Sequence, residues 1–129
     1  MTTTPGPLVW DGFTLLLEAG KALSRDRWYD DSSSRERIAR MLDDAEDTLR
    51  TAPDVGIIQA YLGVFLWEKL HGYADTFEWV HGYRDPHAEM KTRVISGLRV
   101  MANTCGNVEN GATDLPHAFF VLQTAMRCP

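Results

Sequence analysis

Thirteen residues from Val55 to Trp67, VGIIQAYLGVFLW, contain one polar side chain, Gln59, and this run constrains the chain more than any other segment. It falls short of the roughly 20 apolar residues needed to span a bilayer, so it reads as a buried helix surrounded by protein. Gly56, Ala60 and Gly63 recur along it at near-helical spacing, which lets another helix approach closely although each glycine weakens the helix. The expected fold is all-α. One domain covers residues 1–129, a compact bundle of about five to six helices around this central apolar helix (about 55–71).

The other helices are marked by spacing and by capping residues. A first helix, about Asp11 to Ser24, places Phe13, Leu16, Leu17 and Leu23 on one face. RDRWYDDS (residues 25–32) reads as a loop. Ser33 with Glu36 has capping-box form and opens a second helix that presents Ile38, Met41, Leu42, Ala45 and Leu49. Its polar face, with Glu36, Arg40 and Asp44 and with Glu46 and Arg50 in i,i+4 steps, reads as solvated, while Asp43, Asp44, Glu46 and Asp47 would suit a basic partner. Ala52-Pro53 stops this helix and Asp54 caps the next. A helix over about 86–102 buries Met90, Val94, Ile95, Leu98 and Met101 and turns Lys91, Arg93 and Arg99 to solvent. Residues 103–113 read as a mobile loop, and Asp114 caps a last helix burying Leu115, Ala118, Phe119, Leu122 and Met126.

Charge limits the partners. The net charge is −5 and the pI about 5.2, with no basic run, so nucleic-acid binding is not expected. The N-terminus MTTTPGP has neither the basic nor the apolar region of a signal peptide, so residues 1–7 read as a flexible lead-in and the cytoplasm as the expected compartment, with no membrane association. Two cysteines, Cys105 and Cys128, are too few and too widely spaced for a disulfide framework or a zinc site.

The most unusual pattern is a repeat, because Glu68-Lys-Leu-His-Gly-Tyr-Ala-Asp75 is echoed ten residues later by Glu78-Trp-Val-His-Gly-Tyr-Arg-Asp85. Glu-x-x-His is the spacing with which carboxylate-bridged di-iron bundles hold metal, so Glu68, His71, Glu78 and His81 form a candidate metal set for a hydrolase or oxidase. In one continuous helix, however, ten residues rotate the second pair about 80° from the first face. Helix punctuation explains the repeat more economically. His sits near a C-terminus, Gly72 and Gly82 supply left-handed turns, and Asp75 and Asp85 open the next helices. A short helix, 76–81, then forms an elbow, and no cofactor or metal is expected.

Phosphate loops, nucleophile elbows and zinc helices are absent from the sequence, and Cys105 with His117 is an incomplete nucleophile and base. Trp67, Tyr73, Phe77, Trp79 and Tyr83 crowd into seventeen residues, more aromatic side chains than so small a core can take. Together with Arg84 they suggest a protein interface. The expectation is a non-enzymatic interaction module, a regulator or inhibitor of a larger protein, that binds through Trp67, Tyr73, Trp79, Tyr83 and Arg84. The alternatives are the metal enzyme above and a self-assembling subunit that uses the same surface to form a homo-oligomer.

Overall fold

The computed structural model describes residues 7–52, 55–81, 87–107 and 109–127. They form α1 (Pro7–Arg25), α2 (Ser32–Thr51), α3 (Val55–His81), α4 (Ala88–Gly106) and α5 (Gly111–Arg127). α1 packs on α2 and α3, α4 on α3 and α5, and α5 returns to α2, which gives an all-α ring of helices around one core. The apolar spacing supplies that core. Phe13, Leu16, Leu23, Ile38, Leu42, Leu49, Val94, Leu98, Met101, Leu115, Phe119, Leu122 and Met126 are all buried. No helix among the described residues is long and apolar enough to cross a membrane.

α3 departs most from the sequence reading. It is one helix of 27 residues and runs through Gly72 and Asp75, so the elbow and the short helix 76–81 are not formed. Its inward row, Gln59, Gly63, Leu66, Leu70, Ala74 and Phe77, is buried at helical spacing from end to end. Phe77 then stacks on Trp28, with ring centroids 5.5 Å apart, and meets Tyr29 edge-on at 6.0 Å. A helical glycine costs about 1 kcal/mol relative to alanine, whereas burying an aromatic side chain returns about 1.5–3 kcal/mol. Continuing through Gly72 to bury Phe77 is therefore the favoured outcome.

The socket that receives Phe77 lies in the turn between α1 and α2. The Trp28 indole N–H donates to the Leu23 carbonyl at 3.0 Å, and the Tyr29 ring carries the Lys91 ammonium 4.0 Å from its centroid. Lys91 is fully buried, which corrects the expectation that it faces solvent. It follows Met90 on the inward face of α4, and its stem spans apolar surface to reach the ring face. Asp30 and His87 link the same turn to the start of α4 at 3.1 Å.

Helix ends are set by side chains other than those anticipated. Asp31 caps α2, accepting from the Ser33 amide at 3.0 Å and the Ser34 hydroxyl at 2.9 Å, and these bonds hold its carboxyl below the usual range. The Ser33 capping box is thus displaced by two residues. Residues 103–106 and 111–113, read as loop, are helical. Asn107 replaces Asp114 as the organising residue, its Oδ1 accepting from the amides of Glu109 and Asn110. The Gln59 amide donates toward the carbonyls of Thr104, Cys105 and Asn107 at 3.1–3.2 Å, so the lone polar side chain of the apolar run closes the end of α4. Pro53, Asp54 and Pro86 lie outside the described residues.

The two readings of Gly72 give opposite signs in one experiment. A Cβ at Gly72 would meet nothing within 4 Å. Gly72→Ala is expected to stabilise the fold by up to about 1 kcal/mol in urea denaturation, whereas a left-handed helix terminus would be destabilised by the same change. Phe77→Ala is expected to lose about 3–5 kcal/mol.

Candidate functional site

A polar seam runs between α3 and α4. Trp67, His71, Asp75 and Glu78 recur at three- and four-residue steps along one edge of α3, facing Arg99 and Asn103 of α4. The Trp67 indole N–H donates to Asn103 Oδ1 at 3.2 Å, His71 Nε2 lies 2.8 Å from that same oxygen, and His71 Nδ1 lies 3.3 Å from Arg99 Nη1. The pattern is satisfied with the ring proton on Nε2, leaving Nδ1 to accept from the guanidinium. Arg99 Nη2 also meets Asp75 at 2.8 Å and Glu78 at 3.0 Å. Partial burial works against the Arg99 charge, but the hydrogen bonds it donates to the two carboxylates, with their charges, outweigh it and raise its pKa.

This seam decides the geometry of the metal candidates. His71 and Glu78 come together, but with a guanidinium between them, so a cation already neutralises the carboxylate. Glu68 is exposed on a different face of α3, as a ten-residue offset within one helix requires. The His81 side chain lies outside the described residues. No cluster of three or more His, Cys, Asp or Glu side chains suited to a metal occurs among the described residues. The nucleophile candidate is also separated from its base. Cys105 is fully buried inside α4, where burial pushes its thiol up to about 12, while His117 is exposed on α5.

Exposed apolar surface is concentrated on the outward face of α3, opposite its buried row, which corrects the expectation that protein surrounds this helix. Ile57, Tyr61, Val64 and Phe65 are exposed by 58%, 82%, 70% and 47% and share one stripe at i, i+4, i+7 and i+8, with Ala60 also exposed between them. Of the anticipated interface residues, Trp67 flanks this stripe at 45% exposure, its ring packed 4.8 Å from His71, and Trp79 stands 87% exposed at the far end of the helix. Tyr73 is half-buried, close to Gly20 of α1. Tyr83 and Arg84 lie outside the described residues. Sequence reasoning missed Ile57, Tyr61, Val64 and Phe65 because a run that is apolar at nearly every position has no period from which to choose an outward side.

Two side chains of the acidic run on α2, Asp43 and Asp47, are paired within the chain. Arg127 meets Asp43 at 2.8 Å, and the Gln123 amide donates to Asp43 as well, tying α5 to α2. Arg50 pairs with Asp47 at 2.6 Å. A cleft of about 290 Å³ lies where α2, α3 and α5 meet, lined by Leu49, Val55, Leu115 and Phe119, with Glu46 at its edge. Burial raises the Glu46 carboxyl above its usual range. Comparison with known proteins finds no family model, curated protein or solved structure that matches this chain.

Two expectations follow. Arg99→Ala leaves Asp75 and Glu78 without their shared cation and His71 Nδ1 without a donor, and is expected to lose about 1–2 kcal/mol in urea denaturation. Cys105 keeps its proton in the folded chain up to about pH 12, while the unfolded thiol ionises from its ordinary value of 9.0. The unfolded state therefore binds fewer protons above pH 9, and stability falls as pH rises. Between pH 8 and 10 the wild type is expected to lose about 1.4 kcal/mol more than Cys105→Ala. Parallel pH profiles for the two proteins would contradict this.

Proposed function

We propose that this chain is a helical interaction module that binds a protein partner through the outer face of α3. The observation that carries this reading is the stripe of Ile57, Tyr61, Val64 and Phe65, about two and a half turns long and flanked by Trp67, which the described residues leave uncovered. Single exposed apolar residues are ordinary, but a contiguous exposed row on one helix is the kind of surface that other proteins cover. Tyrosine and tryptophan in such a row supply large contact area at little cost in rotamer entropy. The periodicity fits the binding mode in which the anchors of an amphipathic helix fall at i, i+3, i+4 and i+7.

This surface keeps Trp67 from the anticipated elbow and moves the centre of binding about four turns toward the N-terminus of α3. By occupying a groove on a larger protein, such a face would act as a regulator or inhibitor. A reducing cytoplasm suits the free Cys105 thiol. The acidic net charge favours a protein over a nucleic acid as the partner.

The test is affinity capture with tagged wild type, a Tyr61→Ala plus Phe65→Ala variant, and an Arg40→Ala plus Asp44→Ala control on the exposed face of α2. Captured chains are identified individually, including untagged copies of the bait. Loss of captured chains with the α3 variant alone is expected; identical sets from all three baits would remove the reading.

A further inference from the structure

We infer that the cleft where α2, α3 and α5 meet is a binding site for a small apolar amine, its ammonium on Glu46 and its hydrocarbon body against Leu115 and Phe119. The site is separate from the outer row of α3. Leu49 of α2, Val55 at the start of α3, and Leu115 and Phe119 of α5 form apolar walls around about 290 Å³. Ala52 and Ala112, small residues at the junction, leave that space open. The volume lies at the lower end of the range for small-molecule sites, and an apolar lining with a few polar groups is their usual composition.

Two acceptors in the cleft wall lack donors. The first is Glu46, which is half-buried and makes no hydrogen bond or ion pair among the described residues. Arg50, one turn on and also in the wall, gives its Nη2 to Asp47 at 2.6 Å. Its charge reaches Glu46 through space, but loss of solvent outweighs that attraction and holds the carboxyl above its usual range. Glu46 and Asp47 against Arg50 leave one negative charge uncompensated at this rim. The second acceptor is the Ala112 carbonyl. Its helical donor would be the amide four residues on, where Pro116 stands, and proline has no N–H. Ala112 and Pro116 both line the cleft. Such a set suits a ligand that is positively charged, donates hydrogen bonds and brings no acceptor, which is what a protonated amine with three N–H bonds offers. An anion would instead meet Glu46, with Arg50 already held by Asp47. The amine gains twice, by taking apolar surface out of water and by giving a desolvated carboxylate its partner. For a ligand of about ten non-hydrogen atoms this supports a dissociation constant on the order of 0.1–1 mM.

The test is a chemical-shift titration of the nitrogen-labelled chain with phenethylamine up to about 10 mM, well above that constant. Phenylethanol and phenylpropionate, which carry a hydroxyl or a carboxylate in place of the ammonium, are titrated beside it. Phenethylamine is expected to bind at least tenfold more tightly than phenylethanol, and phenylpropionate more weakly than either, with shifts centred on Leu49, Val55, Leu115 and Phe119. Glu46→Gln removes a charge but no bond within the chain. It is expected to bring phenethylamine to the level of phenylethanol, while the urea midpoint holds or rises. Pro116→Ala returns an amide donor to the Ala112 carbonyl and is expected to weaken the amine several-fold without affecting the alcohol. Tyr61→Ala plus Phe65→Ala is expected to bind the amine as wild type does, so the cleft stands or falls apart from the outer face of α3. The proposal is overturned by an absence of shifts at 10 mM, by an amine that binds no better than the alcohol, or by a preference that survives Glu46→Gln. Shifts centred on Ile57, Tyr61 and Phe65 would likewise remove the cleft as the site.

Discussion

The stacking of Phe77 on Trp28 sets the length of α3, and much of the structure follows from that length. Gln59, Gly63, Leu66, Leu70, Ala74 and Phe77 form an unbroken inward row, and the row ends in an aromatic socket made by the turn between α1 and α2. A helix stopping at Gly72 would leave Phe77 with no such contact. Because the helix continues, its two ends are fixed by different neighbours, the Gln59 end by the last turn of α4 and the Phe77 end by Trp28 and Tyr29. The same continuity aligns His71, Asp75 and Glu78 on the edge that Arg99 reaches.

A ring of helices leaves each of them an outward side. For α1, α2 and α4 that side is mostly polar. On α3 it bears Ile57, Tyr61, Val64 and Phe65. Hydrophobic association is non-directional and scales with the apolar area removed from water, so such a row gains by being covered, whatever covers it.

Polar side chains in this fold act mainly as fasteners between helices. Gln59 closes the end of α4, Asp43 holds Arg127 and Gln123 across the α2–α5 contact, and Arg99 gathers two carboxylates and an imidazole from α3. The repeated Glu-x-x-His-Gly-Tyr unit acquires an account in these terms. The ten-residue offset turns the two glutamates to different sides of one helix, so Glu68 faces outward while Glu78 faces Arg99. Similar words in the sequence therefore do different work.

What the sequence determined by itself was the class of fold and the large apolar residues that face inward from α1, α2, α4 and α5, since an amphipathic helix states its buried side through the spacing of its apolar residues. It also singled out the Val55–Trp67 run and Gln59 within it. Tertiary structure decided the rest. Which side of a nearly all-apolar helix meets its neighbours is not written in a run without a period, so the exposed row at residues 57–65 was hidden. Whether Gly72 ends a helix or lies within one depends on whether a distant Trp28 waits to receive Phe77. Lys91, fully buried, lies over the ring of Tyr29, a neighbour sixty-two residues away in the sequence. In each case local propensity was close to balanced, and a contact from far along the chain tipped it.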